Sequence, residues 1–205
     1  MDKIIEKLDF LQDLYVNARR ANILLENYDR DRSSYIGIHN ELRNALDHIM
    51  RMIQAKGDAH DCEKEFRGAE SHLLRASYDA YELVCISQIN YIKQTLAIYS
   101  TNDINIGFPD YYKEIKPDIL DIENETARIR EVKRQKSVGE RATYEYYFNA
   151  AEKLINYVKQ IDKHISIIDE CYTERLKKER LSKAGFIVGI VGVIIGIAGI
   201  IVALI

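Results

Sequence analysis

Proline is nearly absent. The chain of 205 residues has two, Pro109 and Pro117, close together. Elsewhere no residue breaks a helix by removing an amide donor and crowding the preceding turn. Strand-like alternation of apolar and polar residues is also missing, which points to an all-α chain. Cysteine is scarce and odd in number, with Cys62, Cys85 and Cys171 far apart. That pattern gives no disulfide framework and no zinc spacing, and it fits a reducing, cytosolic setting. There is no phosphate-binding loop, no Ser-His-Asp order and no paired-cysteine motif. His39, His60 and His164 are isolated, so neither a metal nor a cofactor is expected. A formal net charge of -3 argues against a general nucleic-acid binder. Met1–Phe10 mixes charge with apolar residues and has no unbroken apolar run, so no signal peptide is expected.

What the chain does have is one long stretch without charge. From Ala184 to Ile205 there is neither a charged residue nor a proline. As a helix it would reach about 33 Å, enough for the hydrocarbon core of a bilayer. Arg175, Lys177, Lys178, Arg180 and Lys183 precede it, against Glu174 and Glu179. This excess of positive charge leads us to expect the preceding body on the cytoplasmic side of the membrane. The expectation is a tail anchor: a cytoplasmic domain over 1–183 and a single transmembrane helix over 184–205. Gly185, Gly189, Gly192, Gly196 and Gly199 step by 4, 3, 4 and 3, and Ala203 continues the series. That register keeps small residues on one helix face and lets backbones approach, so a homo-oligomer is expected.

The body reads as one helical domain. Ile4, Leu8, Leu11, Tyr15, Ala18 and Leu25 mark a first helix ending near Tyr28. Ser33 or Ser34 offers an N-cap for a second, carrying Ile38, Leu42, Ala45, Ile49 and Met52, and Gly57 stops it. A third runs from about Ala59 to Tyr99. Ser100 to Asp110 is dense in turn residues and reads as a loop. A fourth helix covers Pro117 to about Lys136, with the proline in its first turn. After a break at 137–140, a fifth starts near Arg141 and continues into the anchor. The expected architecture is an all-α bundle whose last long helix becomes stalk and membrane span.

The most specific pattern in the body is Arg43-Asn44-Ala45-Leu46-Asp47-His48, an arginine and a histidine five positions apart. Arg67-Gly68-Ala69-Glu70-Ser71-His72 repeats that spacing on the third helix. In an all-α domain these segments resemble the HEPN superfamily, helical domains of prokaryotic defence and toxin systems. Its signature is arginine, usually a polar residue, then histidine a few positions on. Arg43-Asn44…His48 fits it fully, and Arg67-Gly68…His72 departs at the second position. The resemblance implies that Arg43, Asn44 and His48, and more weakly Arg67 and His72, cleave RNA without metal. Positions five apart point about 140° away from each other on a straight helix, so one motif cannot close on one phosphate. The family typically pairs two motifs across a dimer. The same residues also fit plain ion pairs, Arg67 with Glu63 and Arg43 with Asp47.

Other constellations are weaker. Arg128, Arg130, Lys133, Arg134, Lys136 and Arg141 form a basic run that suits RNA or lipid headgroups, or a solvated face. Tyr144, Tyr146, Tyr147 and Phe148 suit base stacking or, more simply, helix packing. With its single span, the chain is similar to the small membrane accessory proteins of type VI-B CRISPR systems. That likeness implies a ring-shaped pore in the inner membrane, phage defence by depolarisation, and an RNA-guided CRISPR effector ribonuclease as partner. The anchor has no polar residue to wet a channel, so such a pore would have an apolar throat. The alternatives are a membrane-tethered ribonuclease using Arg43 and His48, with RNA as substrate, and a tail-anchored scaffold with no enzymatic role.

Overall fold

The computed structural model describes residues 2–28, 35–55, 58–135 and 140–203; side chains beyond Val193 lie outside the described residues. Its elements are α1 (Asp2–Tyr28), α2 (Ile36–Gln54), α3 (Ala59–Leu96), α4 (Thr101–Gly107), a π-helical turn (Tyr111–Ile115), α5 (Lys116–Gln135) and α6 (Glu140–Ala203). The all-α expectation holds: no strand occurs among the described residues. Ser33, Ser34, Gly57 and the break at 137–139, expected to punctuate the helices, lie outside them.

α3 is the axis of the fold, and α1, α2 and α6 each pack on it. α1 contributes Leu11, Ala18, Ala21 and Leu25, spaced so that one stripe is fully buried. α2 buries Ile38, Ala45 and Met52, and Asp58 caps the start of α3 by accepting from the amides of His60 and Asp61. The second half of α3 is buried on most sides, with Ala76, Ala80, Tyr81, Val84, Cys85 and Ile92 against α1 and α6. Each large apolar side chain enclosed in this way contributes on the order of 2 kcal/mol. A smaller cluster lies under the first half of α3, where Leu11, Met52, Cys62 and Leu73 meet Leu8, Ile49 and Phe66.

The stretch expected as a loop after α3 holds a helix instead. Ser100 accepts from the Asp103 amide at 3.2 Å and its own amide donates to the Asp103 carboxylate at 2.9 Å, closing a capping box. Ile104 and Phe108 are then buried against α6, which supplies the driving force for α4.

α6 runs parallel to α3. Phe148 meets Tyr81, Asp162 accepts from Tyr91, and Asp169 accepts from Tyr99, so the two chain numbers rise together. From Lys177 to Val193 every residue of α6 is exposed, and the helix leaves the body as a stalk. Among the described residues no helix is long and apolar enough to cross a membrane. The described side chains cover the expected span only as far as Val193.

Candidate functional site

The two motif histidines meet. α2 and α3 form an antiparallel hairpin, with Ala45 and Ala69 fully buried. There the rings of His48 and His72 stack with centroids 5.2 Å apart and planes 28° from parallel. Each histidine is braced by a carboxylate from the opposite helix. His48 Nδ1 lies 2.7 Å from Glu65 Oε2, and His72 Nδ1 lies 2.6 Å from Glu41 Oε2. At His72 the carboxylate on Nδ1 favours the tautomer with its proton there and leaves Nε2 as the base, whereas at His48 the Arg51 guanidinium approaches the same Nδ1 as Glu65. Their side chains are 23% and 16% exposed, so both rings are sheltered yet partly in reach of solvent.

Two arginines complete the cluster, one turn after each histidine. Arg51 Nε donates to Glu65 Oε2 at 2.8 Å, and its Nη2 lies 3.1 Å from His48 Nδ1. Arg75 Nε lies 3.7 Å from Glu41 Oε2, and its Nη2 donates to Ser71 Oγ at 2.6 Å. Hydrogen bonds from Arg51 and then His48 hold the Glu65 carboxyl below the ordinary carboxylate range. Gly68 supplies the space: a Cβ there would stand 2.5 Å from His48 Cε1 and Nδ1.

The motif arginines are elsewhere. Arg43 is on the exposed face of α2, and none of the described contacts of the cluster involves it. Arg67, 74% exposed, donates to Glu63 at 3.0 Å, the surface pair that its spacing allows. Asn44 is half-buried and likewise absent from the described cluster contacts. The 140° separation therefore decides the outcome: each motif gives its histidine to the cluster and not its arginine.

Glu41, Arg51, Glu65 and Arg75 were not among the residues singled out from the sequence, although a signal is present. Glu41-x6-His48-x2-Arg51 on α2 recurs as Glu65-x6-His72-x2-Arg75 on α3, with Arg43, Ala45 and Ile49 matching Arg67, Ala69 and Leu73. A spacing of three keeps histidine and arginine on one face, where a spacing of five does not.

The remaining candidates pack or pair. Arg128 donates to Glu125 at 2.7 Å, Arg130 lies 3.0 Å from Glu82, and Arg141 lies 3.7 Å from Glu145. The side chains of Lys133, Arg134 and Lys136 lie outside the described residues. Tyr147 is fully buried, Tyr146 donates to the Ile122 carbonyl at 3.3 Å, and Tyr144 and Phe148 pack on Tyr81. His164 stacks on Phe108 at 4.0 Å, while His39 and His60 are exposed. No group of His, Cys, Asp or Glu is placed to hold a metal ion among the described residues. Gly185, Gly189 and Gly192 face open space, and the side-chain environments of Gly196 and Gly199 lie outside the described residues. No family model, curated protein or solved structure matches the chain.

Proposed function

We propose that the chain is a membrane-tethered, HEPN-like effector that cleaves RNA by acid–base chemistry at His48 and His72. One observation carries this reading: two imidazoles stacked at 5.2 Å, each with Nδ1 on a carboxylate from the facing helix. RNA cleavage through its own 2′-hydroxyl needs a base to take that proton and an acid to give one to the 5′-oxygen. The 2′-oxygen bonds to phosphorus, the bond to the 5′-oxygen breaks, and a 2′,3′-cyclic phosphate and a 5′-hydroxyl result. One histidine serves as base and the other as acid, and a guanidinium offsets the charge that develops on phosphorus. The test incubates the full chain in nanodiscs with single-stranded RNA and EDTA. Cyclic-phosphate products are expected, with His48→Ala and His72→Ala each lowering the rate roughly 100-fold or more. Intact RNA, or a rate in either variant equal to that of the parent chain, would sink the reading.

Membrane attachment belongs to the proposal through the apolar end of α6, with the basic residues before it facing anionic lipid. A second reading rests on the same helix. α6 runs unbroken from Glu140 to Ala203, so movement of the body would reach the apolar segment directly. In this reading oligomers open a pore that depolarises the inner membrane, with an RNA-guided CRISPR ribonuclease as partner. Membrane potential in cells expressing the full chain or a chain truncated after Lys183 separates the two. Depolarisation that needs the apolar segment and survives His48→Ala favours the pore.

A further inference from the structure

We infer that α2 and α3 carry two copies of one half-site, so a single chain holds the complete two-histidine centre. In it Glu41 and Glu65 are positioning residues, and Arg51 and Arg75, not Arg43 and Arg67, hold the phosphate of the substrate. The inference rests on the RNA-cleavage reading but has a readout of its own.

Three observations carry it. First, the spacing Glu-x6-His-x2-Arg occurs on both helices and the buried Ala45 and Ala69 hold matching places within it. Second, the contacts are reciprocal: His48 of one copy meets Glu65 of the other, and His72 meets Glu41, as a local two-fold requires. Third, each arginine reaches the same carboxylate as the histidine one turn before it, Arg51 at Glu65 and Arg75 at Glu41. A second chain is therefore not needed to bring two histidines together.

The cluster is also built to take an anion. Its two carboxylates and two guanidiniums cancel, so charge is left over only when the imidazoles gain protons. Arg51 and Arg75 side chains are 53% and 35% exposed, so both guanidiniums are in reach of solvent beside the histidine pair. A guanidinium has five donors in a planar fork, so it can keep its glutamate and still present nitrogens to a phosphate.

Two measurements on the full chain in nanodiscs test this. In the first, inorganic phosphate is titrated while the imidazole resonances of His48 and His72 are followed, assigned through the single-alanine variants. Both are expected to move with one common affinity. The double variant Arg51→Ala/Arg75→Ala should weaken binding at least ~10-fold, and Arg43→Ala/Arg67→Ala should leave it unchanged. Shifts at one histidine only, no shifts, or dependence on Arg43 and Arg67 would overturn the assignment. If both histidines respond but RNA stays intact, the centre stands and the cleavage reading fails. In the second measurement, His48→Ala and His72→Ala chains are mixed before reconstitution. A centre held within one chain leaves the mixture as inactive as its parts. A centre shared between chains restores activity, since roughly half of random pairs are mixed. The positioning role predicts that Glu65→Gln moves the pH–rate profile while the chain stays folded, and an unmoved profile would remove that role.

Discussion

An ideal Cβ on Gly68 would stand 2.5 Å from two ring atoms of His48 and 2.8 Å from Nε2. The obstructed atoms belong to the tip of a side chain, so the helix can keep a methyl group there and the imidazole must leave. Gly68→Ala is therefore expected to divide stability from activity. Replacing a mid-helix glycine gains roughly 0.5–1 kcal/mol of helix propensity, which the lost His48–Glu65 hydrogen bond offsets, so stability should change by less than about 1 kcal/mol. Cleavage should fall at least ~10-fold, because a displaced ring loses its hydrogen bond to Glu65 and its position over His72. Chemical denaturation followed by circular dichroism, alongside a rate measurement, checks both halves; a variant with unchanged cleavage would show that His48 does not need its seat. The position also accounts for the glycine itself. Asn44 and Gly68 occupy matching places in the two copies, and the one facing His48 has no side chain. Glu63 is a different case. Lys7 first, then Arg67, hold its carboxyl below the ordinary range, yet this exposed pairing touches neither histidine.

The helices themselves were largely legible. α1 ends at Tyr28 and α2 and α3 follow the apolar spacing, because one-sided burial fixes those residues on the stripe that faces the core. α4 was not legible in the same way: Ser100, Asn102, Asp103 and Gly107 look like turn residues until their contacts are known. Ser-x-x-Asp before Ile104 is a capping-box signal, and the density of polar residues around it hid that signal. Asp103 then has a second task. Arg175 Nε on α6 donates to its two oxygens at 3.1 and 3.0 Å, and Tyr99 donates to Asp169 at 2.6 Å beside it. Burial pushes the Asp103 carboxyl up, but hydrogen bonds from Ser100 and the Arg175 guanidinium outweigh it and hold it below the ordinary range. A depressed carboxyl adds stability above its ordinary value, and that stability is lost as pH falls through the lower, folded one. Asp103→Asn should cost about 3 kcal/mol at neutral pH, with the gap from the parent chain closing below about pH 4. Denaturant midpoints across pH test this; a gap that stays constant into strong acid would place the contribution in the cap and not in the charge. The same junction tolerates little else, since a Cβ on Gly107 would stand 2.8 Å from the Ile168 backbone.

The pieces are arranged along α3. The histidine cluster sits on its first half, and α6 travels with its second half before leaving beyond α4. From His72 to Leu96 the axis extends about 36 Å, so a membrane at the far end of α6 would leave the cluster facing away from it. Sequence alone named both histidines but not their meeting, because the hairpin register that makes Glu41 and Glu65 reciprocal partners is a tertiary fact. The family resemblance implies two motifs paired across a dimer, whereas α2 and α3 bring both motif histidines together in one chain. Assembly is then free to serve the membrane end, and one substitution can separate the two roles. A Cβ on Gly185, Gly189 or Gly192 meets nothing within 4 Å in the single chain, so a larger residue there costs the fold little. If copies associate through this face, Gly192→Leu should weaken association about tenfold or more, roughly 1.4 kcal/mol. Light scattering of the full chain in detergent would show a lower mass, and the off-seam control Val191→Leu should keep the parent mass. RNA cleavage should survive Gly192→Leu, since each chain carries both histidines, while any depolarisation should fall with the assembly. An unchanged mass would remove the glycine face as an interface, and cleavage that falls in step with mass would return the centre to a shared site.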